Sequence, residues 1–378
     1  MDSFLTKDDV KLLKGLAIVL MFMLHLWAFP ERIVGGELKH LFRIFNQSSI
    51  VYLGYFGDIC VSMFYFLGGY GLYKKYCNKP FDIIEQICGI YKSFWKVFFV
   101  MIPIAFVFFR EQVAYCENID ICVRYNEFNL ERLLQNLTGV NVNFNYEWWF
   151  LIAYVFAIIT FPVIRGGISG NSLRKNIAYV VIGSILVSSV FPSIGNIHEI
   201  GFLNNNFLYS KFFSNWAPYT SFIACFWMGM ITAENGILDR LNNNLNNQNL
   251  LNPFVSSLGI IIIIYLRQNI IGKEGDIFFV VFMVVFTKKI TDSSKVLRNI
   301  LSKIGFQSTN MWLVHSFLCY YFGAIAKIIV YTRWAVPSLI VLLILSYICS
   351  ICIDMIWNVL KRIIVVIKAR YERLLLSR

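Results

Sequence analysis

Two ionisable side chains on the first apolar run, Lys14 and His25, are the residues best placed for chemistry. Eleven helical steps of about 100° return to within roughly 20° of the starting direction and climb about 16 Å. The spacing predicts one helix face with a cation near a membrane surface and an imidazole about halfway through the bilayer. An ionisable group is costly in hydrocarbon, so a histidine at that depth marks a site; a histidine merely hydrogen-bonded inside a helix bundle is the alternative. Imidazole titrates near neutral pH and suits a general base, a role worth roughly 10²–10⁴ in rate. Glu147, at the start of a later apolar run, is a second acid–base group or a partner that orients one, and His315 is the other intramembrane histidine. Lys92 and Lys96 lie four apart on one helix face. They either snorkel to headgroups or join Lys74 and Lys75 as a basic mouth for a phosphorylated donor.

The elements that must hold these residues follow from composition. Of 378 residues, 58% are hydrophobic and only 15% charged, against about 25% charged in a soluble domain. The chain is expected to be an all-α, polytopic membrane protein. Apolar runs of about 20 residues cross the hydrocarbon as helices. Ten candidates stand at 10–29, 51–73, 94–110, 148–164, 177–195, 212–233, 252–271, 276–291, 309–331 and 335–359. The pair at 252–291 is the weakest, because the gap Gly272–Asp276 is short. The whole chain, 1–378, reads as one integral membrane domain with a basic tail from about residue 361 lying on the membrane surface. No cleavable leader is evident, since the first run lacks a small-residue cleavage site.

With ten spans, the side holding both termini carries about twice as many basic residues as the other, which places both termini in the cytoplasm. The net charge of +12 then reflects topology and anionic lipid rather than nucleic acid. Cys116 and Cys122 share an outer loop, and a disulfide between them depends on an oxidising compartment. Gly68 and Gly69 suit close helix approach, Asp58 a solvated outer end, and Trp148 and Trp149 an interfacial belt. The outer loop 110–146 is a place for acceptor recognition. The asparagine-rich segment Leu241–Leu251 reads as a flexible cytoplasmic linker.

The run Lys14-Gly15-Leu16-Ala17-Ile18 to His25 resembles the first helix of the membrane-bound acyltransferase-3 family, with lysine where arginine is usual. Gly57–Leu72, ending Gly68-Gly69-Tyr70, is similar to its glycine- and phenylalanine-rich second helix, without the usual serine. Lys92–Pro103 resembles its basic third-helix start, Trp148-Trp149-Phe150-Leu151 its tryptophan–leucine motif, and Trp312-Leu313-Val314-His315 its late histidine. The resemblance implies an O-acyltransferase that takes an acyl group, commonly acetyl, from cytosolic acyl-coenzyme A. The acceptor would be a hydroxyl of a cell-envelope polysaccharide or similar glycan. The implied setting is the inner (plasma) membrane, with no metal. His25 would be the base, with Glu147 and His315 in support. Lys14, Lys92 and Lys96 would bind the donor, without the bidentate phosphate geometry of arginine.

A transporter is the rival class, because buried lysine, aspartate and histidine also build solute or proton pathways. Against it, the two halves of the chain show no paired pattern of broken helices.

Overall fold

The computed structural model describes residues 4–40, 42–110, 124–187, 207–248 and 251–376. Helices account for nearly all of the regular structure; a two-stranded ribbon of β1 (Arg43–Ile44) and β2 (Gln47–Ser48) is the exception among the described residues.

The first helix, α1 (Lys7–Trp27), starts at a capping box in which Thr6 and Asp9 satisfy each other's backbone N–H groups. Two further helices, α2 (Ser49–Phe56) and α3 (Ile59–Tyr76), form one long apolar segment hinged near Gly57, followed by α4 (Ile83–Phe108). A short amphipathic helix, α5 (Leu130–Thr138), precedes α6 (Phe150–Ile168) and α7 (Leu173–Ile185). Next come α8 (Phe207–Asn235), α9 (Ile237–Asn247), α10 (Pro253–Leu266) and α11 (Asp276–Asp292). The chain closes with α12 (Lys295–Phe306), α13 (Ser308–Ser316), α14 (Gly323–Ile329) and the 42-residue α15 (Ala335–Leu376).

Glycines decide which helices touch. A Cβ on Gly15 would sit 2.0 Å from the Leu301 carbonyl oxygen, and one on Gly305 would overlap Lys11 O. So α1 and α12 cross backbone to backbone. Gly69 and Gly229 do the same for α3 and α8, against Phe226 O and Phe66 O. Without a hydrophobic drive between helices in lipid, such small-residue contacts are the main source of specificity. Large apolar side chains such as Val163 and Ile262 face outward instead, as lipid-facing positions must.

Six described helices are long and apolar enough to cross a membrane, or up to eight if each of two bent pairs counts as one span. Part of the difference from ten has visible causes. The helix expected at 177–195 is described only as α7, 13 residues long. At 17 residues, α11 is short and carries Asp276 at one end and Lys288, Lys289 and Asp292 at the other. The asparagine-rich segment is not a linker over most of its length. It is α9, whose Ile237, Leu238, Leu241 and Leu245 meet the core on one face, so tertiary packing overrides weak asparagine propensity. The basic tail continues α15 without a break. Cys116 and Cys122 lie outside the described residues.

Candidate functional site

A cavity of about 1140 Å³ runs between α1, α3, α4, α6 and α13, larger than most single-ligand pockets. Lys14 and His25 both line it, on the shared helix face that their eleven-residue separation predicts. Lys75, Gln86, Ser93 and Ser308 join Lys14 on the lining. Past the end of α1, Arg32 in the turn Pro30–Arg32 lines it together with Asp58, Glu147, Arg267 and Lys273. Among the described residues the Lys14 side chain makes no hydrogen bond or ion pair, although the residue is partly buried; a cation so placed is free to meet an anionic ligand.

The π-helical turn Phe317–Tyr321 follows α13, and the chain then bends by 94° into α14. This break carries two tyrosines into the site. The Tyr320 hydroxyl donates to the backbone oxygen of His25 and lies 3.2 Å from its Nδ1. The Tyr321 hydroxyl donates to Glu147 Oε2 at 2.6 Å. The His315 ring comes to 4.8 Å from that of His25, stacks on Phe22, and has its Nδ1 at the Trp312 carbonyl. Its Nε2 is buried with no hydrogen-bond partner among the described residues. The sequence-derived trio of His25, Glu147 and His315 is thus gathered at one place by α1, the turn before α6, and α13.

Glu147 also lies 3.8 Å from Arg32 Nη1. Behind it, Arg124 is buried between the rings of Tyr146 and Tyr321, at 4.4 and 4.2 Å. Burial disfavours charge on Arg124, yet the neighbouring Tyr321, Tyr125 and Glu147 outweigh this and hold its pKa above the usual guanidinium value.

Lys92 and Lys96 are not brought to the cavity. Lys92 is exposed on α4, whereas Glu85, Gln86, Gly89 and Ser93 occupy the cavity face of that helix. Lys96 meets Asp354 Oδ1 at 2.5 Å, and Asp354 also accepts from Gln307 and Asn310. Lys96 therefore ties α4 to α13 and α15. Of the Lys74–Lys75 pair, Lys75 reaches the lining.

Other residues take places the sequence had not suggested. Asp58, expected to be solvated, pairs with Arg267 and Lys273, at 3.5 and 2.6 Å. Arg267 makes a two-pronged bond to Asp276, at 2.6 and 3.0 Å, and Ser62 donates to the same carboxylate. The short gap between α10 and α11 is thus an ionic knot beside the cavity. Trp148 is fully buried and donates to Leu313 O, rather than floating in an interfacial belt, while Trp149 lines the cavity. Gly68 also lines it, and a Cβ there would meet the Tyr154 hydroxyl at 2.5 Å.

A family model described as an acyltransferase domain matches residues 7–355. The chain belongs to the acyltransferase-3 family and is a multi-pass membrane protein of that class. No curated protein and no solved structure matches it.

Proposed function

We propose that this protein is an O-acyltransferase of the inner (plasma) membrane. It moves an acetyl or short acyl group from cytosolic acyl-coenzyme A to a hydroxyl of an envelope glycan. The observation that carries the reading is the single cavity that touches both Lys14 and His25. A donor entering at Lys14 and an acceptor entering past Arg32 and Lys273 would meet at the imidazole.

The chemistry needs few groups. The acceptor hydroxyl oxygen attacks the thioester carbonyl carbon while His25 takes the hydroxyl proton. The tetrahedral adduct collapses, the C–S bond breaks, and the proton passes to the departing thiolate to give free coenzyme A and an ester. Lys14, with no carboxylate partner among the described residues, holds donor phosphate or pantetheine oxygens. Glu147, gripped by Tyr321, and His315, packed against His25, shape the pocket around the reacting atoms. Lys92, exposed on α4, acts on the donor only at a distance, through its positive charge, whereas Lys96 is neutralised by Asp354 and takes no part.

The test is free-thiol release by the purified protein given acetyl-coenzyme A and a panel of oligosaccharides. Wild type should liberate thiol in step with acetylated sugar, and His25→Ala should lose both. Thiol release unchanged in His25→Ala removes the mechanism, and solute flux without coenzyme A would favour the transporter class.

A further inference from the structure

We propose that Tyr320 is a positioning residue that sets the tautomer of His25, placing the ring proton on Nδ1 and leaving Nε2 as the basic nitrogen. The inference deepens the reading of His25 as general base and rests on it for its catalytic consequence, though not for its structural content.

The argument is one of counting hydrogens. A tyrosine hydroxyl has one hydrogen to donate. That of Tyr320 lies 2.5 Å from the carbonyl oxygen of His25, a group that can only accept. The hydrogen is therefore committed to the backbone. The same phenolic oxygen stands 3.2 Å from Nδ1 of the His25 ring. With its hydrogen spent it can only accept there, so Nδ1 must be the donor. A neutral imidazole carries a single N–H, and the lone pair falls to Nε2.

The geometry explains why the residue sits where it does. Tyr320 is buried and its ring meets that of His25 edge-on, at 5.8 Å. The hydroxyl donates to the His25 carbonyl and accepts from the ring, and the second bond, made to an oxygen fixed by the first, also restricts rotation of the imidazole. A π-helical turn shifts side chains out of the α-helical register and recurs at functional sites. Here it hands consecutive tyrosines to different partners, Tyr320 to His25 and Tyr321 to Glu147. His315 needs no such partner, because its Nδ1 faces the Trp312 carbonyl one turn back on its own helix.

The chain has four histidines, few enough for direct observation. Full-length protein labelled with ¹⁵N-histidine and held in lipid nanodiscs would be read by ¹⁵N NMR, with the His25 signals identified by their loss in His25→Gln. Wild type should show His25 protonated at Nδ1. In Tyr320→Phe the proton should move at least partly to Nε2 while the remaining histidines keep their signals, which reports an intact fold. The same variant should lose about ten- to hundredfold in kcat, a fraction of what a general base supplies, with KM for acetyl-coenzyme A within about twofold of wild type. A wild-type ring protonated at Nε2 overturns the proposal without any variant. So does a Tyr320→Phe protein whose tautomer is unchanged, while a shifted tautomer with unchanged kcat overturns its catalytic consequence. Persistent thiol release by His25→Ala would instead sink the general-base reading, and the tautomer measurement separates the two failures.

Discussion

His25 on the first helix and His315 on the thirteenth stand with their ring centroids 4.8 Å apart, tilted by 50°. His315 is the more deeply enclosed of the two, and Phe22 stacks on its ring. The pairing makes a graded outcome. His25→Ala should abolish acyl transfer, whereas His315→Ala should lower kcat by about tenfold or more and leave KM for the donor nearly unchanged. Steady-state kinetics on the two purified variants check this.

Lys14 and Lys96 should separate cleanly. Lys14 lines the cavity without an acidic partner among the described residues, so Lys14→Ala should raise KM for acetyl-coenzyme A by about tenfold or more, the worth of one charge-assisted contact. Lys14→Arg should keep most of the affinity. Lys96 is held by Asp354; Lys96→Ala should leave KM nearly unchanged and lower stability by about 1–3 kcal/mol. Donor titrations and thermal unfolding in detergent give the two readouts.

The crossing of α1 and α12 predicts a severe packing defect. Gly305→Ala sets a methyl into the backbone of α1, which cannot yield as a side chain would. The cost should be at least about 1–3 kcal/mol, the usual range for overpacking. Gly71 on α3 has no described atom within 4 Å of the equivalent position, and Gly71→Ala should be nearly silent. Midpoints of thermal unfolding for the pair decide it.

Asp276 offers a third stability test. It neutralises Arg267, which is almost wholly buried. Among the described residues, Asp276→Asn would leave that guanidinium with only the more distant Asp58 as its charge partner. A loss of about 3–5 kcal/mol is expected from breaking a buried pair on one side. Replacing both residues, as Arg267→Met with Asp276→Leu, should cost far less. Folded yield and unfolding midpoint of the single and double variants compare the two.

Much of the site was legible because helical spacing is arithmetic. The separation of Lys14 and His25 fixes a shared face, and both indeed line one cavity. Glu147 and His315 stood out because acids and imidazoles are rare in apolar runs, and the fold brings them to His25. Lys92 and Lys96 looked equivalent from spacing, but only an unforeseeable partner, Asp354, decides where Lys96 points. Tyr320 and Tyr321 were invisible because their placement depends on a π turn, which leaves no period in the sequence. The helix α9 was hidden by composition: its asparagines read as flexible, while four apolar residues at helical spacing dictated the structure.

The most direct test of the proposal that this cavity is reached from both compartments is sidedness. Protein reconstituted into sealed vesicles would receive radiolabelled acetyl-coenzyme A only on the face where α1 begins, and oligosaccharide acceptors only on the other. Label should appear on sugar in the opposite compartment, and His25→Ala should stop it. Label confined to acceptors placed on the donor's own side would contradict the account.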